Sequence, residues 1–228
     1  LAIWRSRYAE SALGEGSLII ESYLGGTEYA VDAYFDENGE AAVLDVLRHE
    51  FANAADTSDR CYITGPSVIR EHAEHFASWL TEVNKYVGAR SFPVHVETRM
   101  KDDIISPIEF NPLRFAGICG TEIAYHAYGF HTYDYFLRNE KPRWNELFAA
   151  KEGKLYCMGY LPAPEELAAG KCAFNHEAFL AHFSGLQAFH KFNPQETGAL
   201  GFIFIETEES DETERAFLRD ADLTQFCI

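Results

Sequence analysis

Two short stretches of this 228-residue chain bring together side chains of the kind that hold metal ions. The run 108–117 reads IEFNPLRFAG, with Glu109 and Asn111 two apart ahead of Pro112. Residues two apart on a strand share a face. A carboxylate and an amide therefore stand side by side, with no polar neighbour in sequence to satisfy them. Upstream, FPVHVETRM (92–100) sends His95, Glu97 and Arg99 to one side of a strand and Val94, Val96 and Thr98 to the other. The two runs flank the polar turn KDD and read as a hairpin. If the Glu109 face opposes Glu97, two carboxylates and an amide converge. Such an all-oxygen set suits a hard cation, and Mg²⁺ bound this way leaves its other positions to water and phosphate oxygens. The plain alternative pairs Glu97 with Arg99 or Arg114 and has Glu109 cap nearby backbone.

The elements that must position these residues are legible from periodicity and punctuation. TEYAVDAYFDENGEAAVLDVLR (27–48) is two alternating segments joined at Asn38-Gly39, a strong hairpin signal. The Asp-rich stretch from Phe51 to Gly65 reads as a long loop. Ile69, Ala73, Phe76, Leu80, Val83 and Val87 recur at helical spacing, with Gly88 placed to end the helix. GTEIAYHAYG and HTYDYFLRN predict two short helices broken at Gly129. Beyond residue 138 a separate block is expected: strands KLYCMGYLP and ALGFIFIET, a helix from about Asn175 to Phe192 between them, and a last helix opened by a capping box at Asp211 and Glu214. Antiparallel hairpins mixed with packing helices make the class α+β.

Composition narrows the function. Apolar residues make up 47% of the chain and aromatic residues 14%, enough for a sizeable core. With 36 acidic against 19 basic side chains the net charge is -17, which opposes binding to nucleic acid or to an anionic membrane surface. An anionic ligand must then be held by local Arg, Lys or metal. Five scattered cysteines without a CxxC pair fit a reducing, cytoplasmic setting, and no apolar run reaches membrane-span length. LAIWRSRYAESALGEGS opens as if inside a helix, so a fragment or natural half of something longer is expected.

One upstream segment changes the weight of the metal-binding pattern. LIIESYLGGTEY (18–29) is an apolar strand ending in Glu21, a short Gly-Gly passage, and Glu28 seven positions on, opening the next strand. This resembles the hinge of the ATP-grasp enzymes, and Glu97 followed by EFNPLR (109–114) is similar to that family's acidic metal ligand and its E-x-N-P-R strand. The resemblance covers roughly residues 1–138 and implies an ATP-grasp fold lacking its N-terminal part, with 139–228 a family-specific appendage. It implies that Glu21, Ser22, Tyr23 and Leu24 flank adenine, that Glu28 takes the ribose hydroxyls, and that Glu97, Glu109 and Asn111 hold Mg²⁺ (or Mn²⁺) on the phosphates of ATP. Arg99 and Arg114 would then face phosphate or a developing oxyanion. Here the family's Asn-Pro-Arg is Asn111-Pro112-Leu113-Arg114, and on an extended chain that one-residue insertion would reverse the side Arg114 faces.

The implied activity is ATP-dependent ligation of a small carboxylate to an amine, or less readily a thiol, through an acyl phosphate; a homodimer is admitted but not required. Two other readings stay open: a non-catalytic ATP-grasp-like module that binds nucleotide or a partner, and an unrelated Mg²⁺ phosphohydrolase, which would not need the Glu21/Glu28 hinge. Arg48 and Arg60 read as solvated surface ahead of phosphate contacts. Cys119 reads as packing, the run YHAYGFHTYDYF as core, and His49, His95, His126 and His131 are not assigned as bases.

Overall fold

A computed structural model describes residues 22–53, 56, 58 and 60–228. The apolar strand expected to end at Glu21 and the helix-like opening LAIWRSRYAESALGEGS lie outside the described residues. Eight strands form one antiparallel sheet: β1 (Thr27–Phe35), β2 (Ala41–His49), β3 (Cys61–Thr64), β4 (Phe92–Lys101), β5 (Ile104–Pro112), β6 (Lys154–Pro162), β7 (Leu186–Lys191) and β8 (Ala199–Glu208), in the spatial order β5-β4-β1-β2-β3-β6-β8-β7. Strands on both sides of residue 138 thus belong to one sheet, joined where β3 pairs with β6. Mixed helices and antiparallel strands bear out the α+β class.

Helices cover both faces. α1 (Pro66–Val87) starts with Pro66 in its first turn, where a missing N–H costs nothing, and ends at Gly88 in the left-handed region. Its apolar stripe packs on the face that holds Tyr29: Phe76 and Leu80 are fully buried, and Phe76 meets the Tyr29 ring at 5.7 Å. Each such side chain contributes about 1.5–3 kcal/mol through burial. Asn84 fastens the end of α1 to the first hairpin by donating to the carbonyls of Gly39 and Ala89, both at 2.8 Å. On the opposite face lie α2 (Glu122–Tyr128) and α3 (Thr132–Arg138), separated at Gly129 as expected. Tyr128, Phe130 and the ring of Trp144 in α4 (Trp144–Leu147) form an aromatic cluster there, so much of the aromatic run is core. The short α5 (Glu165–Ala168), α6 (His176–Leu180) and α7 (Pro194–Thr197) connect the last strands, and α8 (Thr213–Asp220) lays Leu218 against Gly159 and Ile203. Among the described residues no helix is long and apolar enough to cross a membrane.

Three local expectations are corrected. The Phe51–Gly65 loop contains β3, whose CYIT sequence is β-branched or aromatic at three of four positions and whose backbone fills the gap between β2 and β6. The helix expected over Asn175–Phe192 stops at Leu180 and the chain becomes β7. Gly185 breaks it: its backbone approaches β8 so closely that a Cβ would sit 1.9 Å from the Glu206 carbonyl oxygen. The capping box at Asp211 does not form, because Glu214 turns away to accept from Ser184 and Asp211 bonds Thr213 instead.

A buried polar row crosses the sheet under α2. In register, Asn111 of β5 faces His95 of β4, His95 faces Asp32 of β1, and Asp32 faces Asp45 of β2. Opposed carboxylates repel, and the row relieves this in two ways. His95 Nδ1 lies 2.7 Å from Asp32 Oδ1. Burial would lower the His95 pKa, but the hydrogen bond to Asp32 and the negative charge of Asp32 and Glu97 outweigh it and hold it at about 9. Asp45 goes the other way. Burial pushes its carboxyl up to about 7, the Thr64 hydroxyl at 2.7 Å pulls it back, and the facing Asp32 adds to the rise.

Two outcomes follow for stability. Between about pH 4 and pH 7 the folded protein keeps a proton on Asp45 that the unfolded chain, ionising near 3.8, has lost, so this group lowers stability as pH rises through that window and adds nothing above it. Denaturant titrations should therefore show Asp45→Asn gaining on the native chain by more than about 1 kcal/mol from pH 5 to pH 8; an offset constant with pH would show that Asp45 does not titrate there. Gly201 has φ +143°, and a Cβ would lie 1.9 Å from the His190 carbonyl oxygen. Gly201→Ala should cost at least about 1 kcal/mol in the same measurement.

Candidate active site

Two further rows run parallel to the buried one on the same face. Beside it, Glu109 faces Glu97, Glu97 faces Ala30, and Ala30 faces Leu47. Beyond that, Ser106 faces Arg99, Arg99 faces Glu28, and His49 faces Tyr62. Because side chains alternate along each strand, the chemistry-bearing residues of β1, β2, β4 and β5 fall on one surface as a grid with ~4.8 Å between strands.

The middle row carries the expected metal set. The sheet brings Glu97 and Glu109 opposite one another, and Asn111 Nδ2 donates to Glu109 Oε1 at 2.6 Å. Among the described residues no Lys or Arg pairs with either carboxylate; Glu97 has only His95 Nε2 at 3.6 Å, too long for a hydrogen bond. Two facing carboxylates with no Lys or Arg, and only the His95 imidazole at 3.6 Å from Glu97, are a donor set that fits a divalent cation. Among the described residues no group of three or more His, Cys, Asp or Glu side chains is placed to hold a metal ion.

The outer row carries Glu28, engaged at both oxygens. Oε1 lies 2.9 Å from His49 Nδ1, and Oε2 accepts from Arg99 Nη2 at 2.7 Å and Nε at 3.1 Å. Burial alone would raise its pKa, but His49 and then Arg99 outweigh that and hold it below the usual carboxylate range. Arg99 is thus placed at Glu28 and not at the Glu97/Glu109 pair. The second nitrogen of His49, Nε2, sits 3.0 Å from the Ser58 carbonyl, and its ring lies between Phe51 and Tyr62. These contacts make His49 an orienting partner of Glu28. The register itself is the signal for it: His49 lies one strand over from Glu28.

Of the residues expected to flank adenine, Glu21 lies outside the described residues, while Ser22, Tyr23 and Leu24 form an exposed approach to β1. The Tyr23 hydroxyl accepts from Arg99 Nη1 at 3.3 Å. Gly26, at φ +106°, passes so close to β4 that a Cβ would stand 2.3 Å from the Met100 carbonyl oxygen. A glycine is what lets this approach cross the end of the sheet.

The inserted residue has a different consequence from the one expected of an extended chain. Leu113 adopts φ +61°, in the left-handed region, with its N–H donating to the Pro93 carbonyl at 3.0 Å and its side chain exposed. The turn it makes ends β5 and starts the loop 114–121. Arg114 is half-buried, donates to the Phe115 carbonyl at 3.0 Å and forms no ion pair with Glu97 or Glu109. The loop is then tied to the buried row, since the Ala116 N–H donates to Asp32 Oδ1 at 2.8 Å.

Arg60, read as solvated, is a structural tie: its guanidinium donates to the carbonyls of Leu218 and Ala221. Arg48 pairs with Glu50 at 3.1 Å. Cys119 packs against the core from a partly buried position.

Over the middle row lies a cavity of about 690 Å³. Its charged end is Glu97 and Glu109 with His95, its floor Ala30 and Leu47, and one wall the loop residues Ala116, Gly117, Ile118 and Gly120. Its far end is built entirely from β3, β6, β8 and the segment between β7 and β8. A volume of this size accommodates a small organic substrate.

A sequence profile described as an ATP-grasp domain matches residues 1–122. Solved structures share the architecture at low identity. An L-amino acid ligase from Bacillus licheniformis superposes with TM-score 0.61 at 18% identity, covering 90% of this chain and 54% of its own. A phosphoribosylglycinamide synthetase from Anaerococcus prevotii gives 0.56 at 16%, covering 90% and 53%. An N5-carboxyaminoimidazole ribonucleotide synthetase from Thermotoga maritima gives 0.53 at 18%, covering 88% and 52%. The chain spans about half the length of these proteins. A search of curated proteins found no match. With the profile covering more than half of its length and the fold shared across these structures, the chain belongs to the ATP-grasp family.

Proposed function

We propose that this chain is the nucleotide- and metal-binding part of an ATP-dependent carboxylate–amine ligase. The observation that carries the reading is the opposed pair Glu97 and Glu109, bound by no described Lys or Arg, beside Asn111 and one row away from an oriented Glu28. Mg²⁺ (or Mn²⁺) would be held by Glu97, Glu109 and Asn111, where it would neutralise charge between phosphates of ATP. Glu28, fixed by Arg99 and His49, keeps free acceptor positions for ribose hydroxyls, and Ser22, Tyr23 and Leu24 lie beside it to present backbone and ring to the base. Glu21 is assigned there from the hinge pattern alone.

The chemistry needs a carboxylate made electrophilic in water. Transfer of a phosphoryl group to the substrate carboxylate supplies this, and an amine then displaces phosphate to form the C–N bond. This chain's own residues contribute placement: Glu28 orients the nucleotide, the loop 114–121 walls the cavity against water, and Arg114 lies within that loop, available to an oxyanion if the loop shifts onto a substrate. In such a ligase residues 1–138 would hold the nucleotide and residues 139–228 would complete the substrate side of the cavity. The acidic surface does not oppose ATP binding, because the metal supplies the attraction locally. A cytoplasmic setting supplies ATP and keeps the five cysteines reduced.

The polypeptide expressed from its complete reading frame provides the test, with ADP release measured over a pool of carboxylates and amines. Glu109→Gln should lower substrate-dependent ADP release by about 100-fold or more while unfolding stays cooperative; unchanged release would sink the metal assignment. Glu28→Gln should raise the KM for ATP by roughly tenfold with a smaller effect on kcat, and a rise confined to the carboxylate KM would remove Glu28 from the nucleotide.

A further inference from the structure

The far end of the cavity differs in chemistry from the end that holds Glu97 and Glu109. Two cross-strand pairs form it: Tyr62 of β3 faces Met158 of β6, and Tyr160 of β6 faces Phe202 of β8. The Tyr160 and Phe202 ring centroids are 5.3 Å apart, and Phe192 closes on Phe202 edge-to-face at 5.8 Å. Tyr160, Phe192 and Phe202 are each only half-buried, although their rings sit in the heart of a recess. Ala199, which lines this end with them, is small and leaves the recess room. No Lys or Arg is among the described lining residues and His95 lies at the carboxylate end, so a negatively charged side chain at the far end would find no cationic partner. From Glu97 on β4 to Tyr62 on β3 is three strand steps, or about 14 Å along the sheet. A molecule spanning both ends must be elongated, with its reacting group at one end and an apolar body at the other.

We propose that this aromatic recess binds the uncharged, bulky side chain of an amino-acid substrate, such as leucine, methionine or phenylalanine, and that the β6–β8 portion of the chain thereby sets substrate specificity. The proposal rests on the ligase reading for the position of the reacting group and on the recess itself for the side chain. Half-buried aromatic rings lining a concavity gain from covering by an apolar group, by about 25 cal/mol per Å² of apolar surface removed from water. The same recess desolvates a carboxylate or ammonium without pairing it, which penalises acidic and basic side chains.

The experiment uses the complete polypeptide, the twenty amino acids offered singly with a common partner, ADP release as one readout and calorimetric binding of each amino acid as the other. The expected result is selection of bulky apolar amino acids. Phe202→Ala and the milder Phe202→Leu should raise the KM for phenylalanine by roughly tenfold and by less than that, respectively, while the KM for ATP moves less than twofold. Robust ADP release with acidic, basic or small amino acids in preference to apolar ones overturns the recess and leaves the ligase standing. Calorimetric binding of apolar amino acids, weakened by Phe202→Leu, without ADP release from any substrate overturns the ligase and supports the recess. Absence of both overturns the proposal, as does a variant that raises the KM for ATP and for phenylalanine alike.

Discussion

Between β1 and β4 the ladder pairs Glu28 with Arg99, Ala30 with Glu97 and Asp32 with His95, and every other feature of the cavity face inherits that registration. Side chains alternate with period two, so a slip of one residue by either strand would send its three to the opposite face, under α1. The hydrophobic partners on that opposite face, Tyr29, Val31 and Ala33 from β1 with Val94 and Val96 from β4, hold the register by their burial. The stability of the α1 core and the geometry of the polar grid are therefore one constraint seen from two sides. β5 and β2 extend the same rows by one strand each way, and bulges at Asp32/Ala33 and at Glu97/Thr98 fall outside or between the rows used by the site.

An acidic chain has to manage carboxylates that face each other, and this one does so in three different manners along three neighbouring rows. Asp32 and Asp45 are relieved by a cationic imidazole on one side and by a retained proton on the other. Glu28 is relieved by Arg99 and His49. Glu97 and Glu109 have no described Lys or Arg partner and share only the far nitrogen of the His95 ring already bonded to Asp32, 3.6 Å from Glu97, and this asymmetry separates the pair from ordinary surface charge. It is a stronger indication than residue type, because Glu28 and Asp32 show that the fold supplies counter-charges where structure alone demands them.

Much of this was legible before any coordinates. The Glu97/Glu109/Asn111 convergence follows from alternation plus one hairpin, and the α1 helix follows from a clean 3.6-residue period with glycine at its end. What escaped was non-local. Four residues of β3 form a strand only because β2 and β6 offer edges on both sides, and nothing within CYIT distinguishes that from a loop. The strand β7 hid within a helical-looking run because its signal is the close approach of Gly185 to β8, a tertiary contact. The placement of Arg99 against Glu28 depended on cross-strand register, and Leu113 in the left-handed region departs from the conformation an apolar residue ordinarily takes. The far wall of the cavity lay in the region where no sequence motif was found, since half-buried aromatic residues on strands look the same whether they face a core or a ligand.

The slenderness of β3 has a mechanical meaning. It meets β2 through two residue pairs and β6 through four, so the eight-stranded sheet narrows to a seam between the half that carries Glu97 and Glu109 and the aromatic half. The cavity straddles that seam, with Glu97 and Glu109 on one bank and Tyr160 and Phe202 on the other. A ligand touching both banks acts as a cross-link over the weakest line of the sheet. It would raise not only overall stability but the cooperativity with which the two halves unfold, coupling substrate occupancy to the rigidity of the entire scaffold.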